Sequence, residues 1–285
     1  MIDYKSPRKI TDRCPKGIEY NYRIPKGQAI YFPHNRVEID AYTLGLLIGD
    51  GCFRTTSNKN YVLFTCQKED FELYDSVIPY TIDKVTNNNY TYAIRIPNDY
   101  LKKVKLWYLK SEFKFIPKDY LYNSKEIRLE VLRGLMDADG TVDKTSGIPI
   151  FNTTSKQLKE DVEFLCRSLG YNVSTSTHES KFAGKIYNPH YRIRIITNDN
   201  IFKLPRKLKL LTKFSSGYSR STRDYTAIVN IEYSHKEMAK CVTVDNKSNC
   251  YLIGDFVVTH NSYFAAALLA KRFILGESAE VNKKV

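Results

Sequence analysis

One apolar motif occurs twice in the chain, and each copy ends in an acid followed by a glycine. The first copy, Leu44–Gly51, has the sequence Leu-Gly-Leu-Leu-Ile-Gly-Asp-Gly, and the second, Leu132–Gly140, has Leu-Arg-Gly-Leu-Met-Asp-Ala-Asp-Gly. The strand-like sequence Tyr92–Ile96 is matched in the same way by Tyr191–Ile195. One such coincidence arises easily by chance, but two motifs repeated in the same order do not. The sequence therefore predicts an internal duplication.

The two copies share the same order of predicted elements. An apolar helix comes first, strand-like segments such as Tyr61–Phe64 or Ile148–Phe151 follow, and basic helical stretches close each copy. This order predicts an α+β fold with pseudo-twofold symmetry. Of the 285 residues, 42% are hydrophobic and 13% are aromatic, which is enough to bury a core in two packed units.

The sequence outside the two copies excludes several classes of protein. Residues 1–35 are polar and interrupted by prolines and glycines, which predicts an extended lead-in. No apolar run approaches the roughly 18 to 20 residues of a membrane span, and the start lacks the apolar core of a signal peptide. The six cysteines contain no C-x-x-C pair, so neither a disulfide framework nor a zinc site is indicated. We expect a cytoplasmic protein.

The net charge favours a polyanionic partner. Lysine and arginine outnumber the acids by 44 to 31, which gives +13, and binding of such a chain to nucleic acid releases counterions. The strand period of two places Arg192 and Arg194 on one face, and Arg95 lies at the matching place in the first copy. An ordinary solvated strand face is the alternative, but the recurrence favours a DNA-binding surface.

The two apolar motifs are predicted to be buried helices that pack together. In each motif two small residues lie four positions apart, share one helix face and let another backbone approach closely. These are Gly45 with Gly49, and Gly134 with Ala138. Packing through these faces would bring the C-terminal acids of the two motifs, Asp50 and Asp139, side by side.

Two neighbouring carboxylates predict a metal site. They repel each other unless a cation lies between them, and hard oxygen ligands suit Mg²⁺. Metal ions between an attacking water and a leaving oxygen are the usual device for phosphodiester cleavage. Lys114 and Lys213 each lie 22 residues after a matched tyrosine and could polarise the water or stabilise the developing charge. For either motif alone, a helix-terminal acid with a glycine cap is the simpler interpretation.

Leu44–Gly51 and Leu132–Gly140 resemble the paired motifs of the LAGLIDADG, or dodecapeptide, homing endonucleases. The segment Phe113–Pro117 also resembles the lysine block of the intein-encoded members. The resemblance covers about residues 36 to 220 and departs from the family name at Ile48 and Gly49.

This resemblance implies a monomer of two αββαββα halves, at 36–125 and 126–220, whose saddle-shaped sheets lie over a long site in double-stranded DNA. Asp50 and Asp139 would hold the metals, and Lys114 and Lys213 would be the basic residues near them. The neighbouring lysines at positions 110, 207 and 209 compete for the lysine role.

The segments Cys241–Asp245 and Tyr251–Ser262 resemble the C-terminal splicing blocks of an intein. The resemblance implies a small β-rich segment of Hint type over residues 221–261. The side-chain amide of Asn261 would attack its own carbonyl carbon and break the 261–262 bond, with His260 supporting the proton transfer. Ser262 would receive the upstream segment as an ester. Cys241 lies where one intein class carries an extra nucleophile.

An amino-terminal splicing block is missing from the sequence. The chain is therefore expected to be the C-terminal piece of a split intein with a separate partner chain, or a fragment. Residues 262–285 are predicted to be a helix of the host protein. A P-loop ATPase similar to a phage large terminase and an ordinary amphipathic helix are the two alternatives for that helix.

These observations together predict an intein-encoded homing endonuclease that makes a metal-dependent double-strand cut, in a bacterial or phage-infected cell. Two rival functions remain: a catalytically decayed endonuclease, and an RNA maturase-like protein that binds nucleic acid.

Overall fold

The computed structural model divides into two compact units. One consists of residues 29–218, and the other combines residues 1–28 with 219–285. The structure describes residues 8–9, 18–19, 23–25, 27–52, 61–85, 90–106, 109–182, 185–214, 225–227, 238, 244–245 and 250–260.

Seven helices and fourteen strands lie in the described ranges, numbered here in chain order. Up to residue 121 they are β1 Arg8–Lys9, β2 Ile18–Glu19, β3 Arg23–Pro25, α1 Ala41–Asp50, β4 Gly51–Cys52, β5 Val62–Thr65, α2 Lys68–Val77, β6 Ile82–Lys84, β7 Thr91–Ile94, α3 Asn98–Lys103 and α4 Lys118–Leu121. The remainder are α5 Lys125–Ala138, β8 Thr141–Val142, β9 Pro149–Thr153, α6 Lys156–Ser168, β10 Asn172–Phe182, β11 Lys185–Ile196, α7 Pro205–Phe214, β12 Tyr225–Ala227, β13 Cys250–Ile253 and β14 Val257–His260.

The larger unit contains the same arrangement twice. The order helix, two strands, helix, two strands, helix runs from α1 to α3 and again from α5 to α7. Each half has a four-stranded antiparallel sheet, with strand orders β4-β5-β7-β6 and β10-β11-β9-β8. The two sheets therefore share one topology, and the mixed helix and antiparallel-sheet fold predicted from the duplication is confirmed.

Local sequence explains where these elements begin and which face they bury. The Asp40 carboxylate caps α1 by accepting from the Thr43 amide at 2.8 Å, and the Ser155 hydroxyl caps α6 in the same way. In β11 the alternation predicted from sequence is present, because Ile193 and Ile195 are buried while Arg192 and Arg194 are partly exposed.

A continuous hydrophobic core joins the two halves through the pair of motif helices. Every residue of α1 from Ala41 to Gly49 is buried, and α5 contributes Val131, Leu132, Leu135 and Met136 to the same core. A helix that is apolar on all sides belongs in such an interior. The motif helices therefore form the centre of the duplicated unit.

The smaller unit pairs sequence from both ends of the chain. Strand β3 pairs with β12, β1 pairs with β2, and β13 forms an antiparallel hairpin with β14. Residues 1–35 were expected to form one extended lead-in, but the structure divides that segment. Its first 28 residues belong to the smaller unit, and residues 29–35 belong to the duplicated unit.

Candidate active site

The two motif helices approach each other backbone to backbone, as the spacing of their small residues predicted. A side chain at Gly45 would place its Cβ only 2.2 Å from the Val131 carbonyl oxygen. At Gly134 the Cβ would lie 2.1 Å from the Tyr42 carbonyl oxygen. Both distances are far inside van der Waals contact, so the crossing leaves space for hydrogen alone at these two positions.

This crossing brings the two motif acids to the same end of the helix pair. Asp50 is the last residue of α1, and Asp139 directly follows the last residue of α5. A Cβ at Gly49 would lie 3.4 Å from the Asp139 carboxylate oxygen Oδ2. Both acids are exposed to solvent. The Asp139 carboxylate thus lies against the last turn of α1, next to Asp50, where a large substrate could reach both.

The pKa values of both motif acids are raised, chiefly by partial burial. Partial burial and the nearby charge of Asp139 raise the pKa of Asp50 to about 6, although Lys207 and Lys114 act in the opposite direction. Partial desolvation of the carboxylate also raises the pKa of Asp139, again opposed by Lys114 and Lys207. An acid pair held in this way is electrostatically strained without a cation and suited to receive one.

Lys114 reaches this end of the helix pair from the first repeat. It follows a short 3-10 helix, Ser111–Phe113, and its Nζ donates a hydrogen bond to the carbonyl oxygen of Gly49. Burial lowers the pKa of Lys114, while Asp139 and Asp50 raise it. The ammonium group is therefore close to both acids, as the sequence predicted for this lysine.

Lys207 occupies the corresponding place in the second repeat. Its side chain is buried, and its Nζ donates to four carbonyl oxygens at the end of α5. These belong to Met136 at 2.9 Å, Asp137 at 2.7 Å, Ala138 at 3.3 Å and Gly140 at 2.7 Å. Burial lowers the pKa of Lys207 to about 8, although the charges of Asp137 and Asp50 raise it.

The structure thus brings Lys207, one of the lysines that competed with Lys213 for this role, to the acid pair in the second repeat. Lys213 lies six positions further along α7. The side-chain position of Lys213 lies outside the described atoms. Lys110 and Lys209, which also competed for the role, are exposed.

The arginines predicted to bind DNA lie on the sheets. Arg192 pairs with Asp143 at 3.2 Å, and Arg194 donates to the Ser146 hydroxyl at 3.4 Å, both across the sheet from the buried isoleucines of β11. Arg95 directly follows β7 and pairs with Asp83 at 2.5 Å. Each repeat therefore presents arginine at a sheet surface.

The predicted splicing residues lie at the edge of what the structure describes. The β13–β14 hairpin pairs Cys250 with His260, and its turn contains Asp255 and Phe256 with positive φ. The backbone of His260 is therefore fixed as the last residue of β14. The His260 side chain and all of Asn261, Ser262 and Cys241 lie outside the described residues.

Comparison with known proteins places a family match on the second repeat. Residues 126–209 match the model of the LAGLIDADG-like domain, from the start of α5 into α7.

Within the described ranges, no helix combines the length and apolar character needed to cross a membrane.

The curated relatives are DNA-processing proteins much longer than the matched segment. The chain is 28% identical over 255 residues to the replicative DNA helicase DnaB of Mycobacterium intracellulare, covering 88% of this chain and 40% of the helicase. It is 24% identical over 226 residues to a DNA polymerase of Acanthamoeba polyphaga mimivirus, covering 72% of this chain and 12% of the polymerase. The chain therefore spans less than half the length of either relative.

Among solved structures, the homing endonuclease I-DmoI in complex with DNA and Mn is 20% identical to this chain. The match covers 64% of this chain and 98% of that one, with a TM-score of 0.35.

Proposed function

We propose that the chain is an intein-encoded homing endonuclease that makes a metal-dependent double-strand cut at a long DNA site. The observation that carries this proposal is the convergence of Asp50 and Asp139 at one exposed end of a glycine-packed helix pair. Each acid comes from a different repeat, so one chain supplies both and acts as a monomer. The LAGLIDADG-like match over the second repeat supports the same function.

The donor set fits a magnesium site. Mg²⁺ is commonly bound through one or two carboxylates, with water and substrate phosphate oxygens completing its shell. Asp50 and Asp139 supply two carboxylates, and the described residues hold no group of three His, Cys, Asp or Glu that would form an all-protein cage. When bound here, the metal would lower the pKa of a water nucleophile and neutralise charge on the phosphate.

The two lysines have a separate electrostatic role. Lys114 and Lys207 fix their ammonium groups on carbonyl oxygens beside the acids, so little reorganisation is needed when negative charge develops on a phosphate. Each lysine sits at the end of a different motif helix. We assign one lysine to the cleavage of each DNA strand.

The DNA lies over the two sheets in this proposal. Arg95 in the first repeat, with Arg192 and Arg194 in the second, would contact the phosphate backbone or base edges, and the chain's charge of +13 favours such a partner.

The intein assignment rests on two unrelated hosts that share the segment. A chain that aligns with 40% of a helicase and 12% of a polymerase behaves as an element inserted into different proteins. Pairing of β3 with β12, which lie before and after the duplicated unit in the chain, agrees with an endonuclease inserted into a splicing unit. Asn261 would cyclise with help from His260, and Ser262 would act as the acceptor.

Replacement of the acids tests the nuclease. The probe is a supercoiled plasmid carrying the host coding sequence without the insertion, incubated with Mg²⁺ and resolved on an agarose gel. Asp50→Asn and Asp139→Asn should each lower the cleavage rate at least about a hundredfold because each removes a metal ligand. Binding of the same DNA in EDTA, measured by mobility shift, should persist, and Glu72→Gln on the surface of α2 is the control.

Unchanged nicking in either variant would contradict the assignment. A wild-type protein that binds this duplex without cutting it under any divalent metal would indicate a decayed nuclease. Preferential binding of structured RNA would indicate a maturase-like protein instead.

A further inference from the structure

The two active-site lysines differ in sequence context but share one structural feature. The backbone segment that carries each lysine is held by side chains of the opposite repeat. We propose that each lysine is positioned by the middle helix of the other repeat, which is α2 in the first repeat and α6 in the second. Cleavage of each DNA strand then depends on both repeats. This inference rests on the proposed nuclease function.

The first repeat holds Lys207 through a cross-repeat ion pair. Asp70, on the middle helix α2, is buried and accepts three hydrogen bonds from Arg206, the residue directly before Lys207 on α7. The Arg206 Nε lies 3.0 Å from both Asp70 oxygens, and its Nη2 lies 2.8 Å from Oδ2. A two-pronged contact of this kind fixes orientation as well as distance, so the first turn of α7 is tied to α2.

A second cross-repeat contact fixes the chain as it enters α7. The Tyr42 hydroxyl, from α1, donates to Asp137 Oδ2 at 2.8 Å. The same carboxylate accepts from the backbone amides of Lys203 at 2.9 Å and Leu204 at 3.2 Å. Tyr42 thus orients the acid that fixes the residues immediately before the helix of Lys207.

The second repeat holds Lys114 in a corresponding way. Ser155, the capping residue of the middle helix α6, donates from its hydroxyl to the Lys114 carbonyl oxygen at 2.6 Å. Asp161, further along α6, accepts from the amide of Ile116 at 2.8 Å. The two middle helices therefore play reciprocal roles, with α2 acting on Lys207 and α6 on Lys114.

Strand-resolved cleavage tests this arrangement. The plasmid target is replaced by a linear duplex of the same site with a different fluorophore at each 5′ end, so both strands are followed in one reaction. Lys114→Met and Lys207→Met first identify the strand that each lysine serves. Asp70→Asn should then slow the Lys207 strand at least about tenfold more than the Lys114 strand, because small misplacements of reacting groups are costly.

Substitutions at Ser155 provide the reciprocal test for Lys114, with one disrupting variant and one conservative variant. Ser155→Asp keeps an acceptor for capping α6 and removes the donor to Lys114, so it should slow the Lys114 strand selectively. Ser155→Thr keeps both functions and should restore the wild-type strand ratio. Glu38→Gln and Ser76→Ala alter exposed side chains of the first repeat away from both lysines and should leave the ratio unchanged.

Equal slowing of both strands by Asp70→Asn, in a protein that melts at the wild-type temperature, would overturn the inference. If Asp70→Asn lowers the melting temperature, Arg206→Lys takes its place, since it keeps the charge but loses the two-pronged contact. Failure of either lysine variant to slow any strand would instead contradict the proposed role of that lysine in cleavage.

Discussion

At the scale of single residues, Asp50 and Asp139 show how a site for a cation costs stability when the cation is absent. The pKa of Asp50 is raised to about 6, whereas an unfolded chain ionises aspartate near pH about 3.9. Folding therefore favours the protonated carboxyl. The contribution of Asp50 to the stability of the wild-type protein should become more favourable as the pH falls from about 6 towards 4, and its ionised carboxylate should weaken the fold above pH 6.

Asp50→Asn should consequently stabilise the metal-free protein. In EDTA its midpoint of thermal unfolding should exceed that of the wild type at pH 7 to 8, and the difference should shrink between pH 6 and 4. Circular dichroism melts across this pH range measure the effect, with Glu72→Gln as the control. A variant that is less stable than the wild type at pH 8 would show that the acid pair is not strained.

Lys207 and Lys213 lie on the same helix, and the position of Lys207 beside the acids predicts a contrast between substitutions at these two residues. Lys207→Met should lower the rate of DNA cleavage about a hundredfold or more, because it removes a charge fixed beside the acids. Lys213→Met should remain within a few fold of the wild type. Both rates are measured on the plasmid target, with DNA binding and thermal melting as checks on folding, and the reverse order would restore the assignment made from sequence.

Sequence spacing selected Lys114 directly but left Lys207 as one of several competing lysines, and the reason is local geometry. Lys114 and Lys213 each lie 22 residues after a matched tyrosine, but the intervening chain differs between the repeats. In the first repeat it forms α3 and a 3-10 helix before Lys114, whereas the second passes through a short connection directly into α7. Equal counts along the sequence therefore do not give equal positions in space.

At the scale of elements, the motif helices were predictable because small residues at a spacing of four leave few alternatives for packing. The strands around Val62 and Ile150 were predicted from short apolar segments, and the strand around Ile193 was predicted from period-two alternation. The glycine at the end of α1 has a reason that composition does not reveal. Gly51 has φ of −73°, so no left-handed turn requires it, but a Cβ there would lie 2.3 Å from the Leu47 carbonyl oxygen.

The helix crossing can be tested with one methyl group. Gly134→Ala gains intrinsic helix propensity, yet its Cβ must displace the backbone of α1 at Tyr42. We expect a net loss of about 1 to 3 kcal/mol in the free energy of unfolding, measured with urea. Lys125→Ala, on the exposed first turn of the same helix, is the control and should change stability by less than about 0.5 kcal/mol. A neutral Gly134→Ala would show that the helices are not in backbone contact.

At the scale of the whole molecule, the duplicated unit begins at residue 29, before residue 36, where the family resemblance begins. Residues 29–35 lie along the second repeat, where Ile30 donates from its amide to the Ser168 carbonyl at 2.8 Å. The fully buried guanidinium of Arg128 donates to the Ile30 carbonyl and lies 5.0 Å from the ring centre of Phe32. Asn35 exchanges two hydrogen bonds with Asn123. The prolines and glycines of the lead-in gave no sign of these contacts, because the contacts depend on partners about 90 to 140 residues away in the sequence.

These contacts predict where an independent nuclease fragment can begin. A fragment of residues 29–218 should unfold cooperatively and cleave the plasmid target, because it retains both repeats and the segment that covers Arg128. A fragment of residues 36–218 should lose about 2 to 4 kcal/mol of unfolding free energy, since it gives up several hydrogen bonds and leaves a buried charge with fewer partners. Urea unfolding compares the stabilities of the two fragments. Arg128→Met in the longer fragment is the matched control, because it removes the buried charge while residues 29–35 remain in place. Equal stability of the two fragments would place the limit at residue 36 and make the docked segment dispensable.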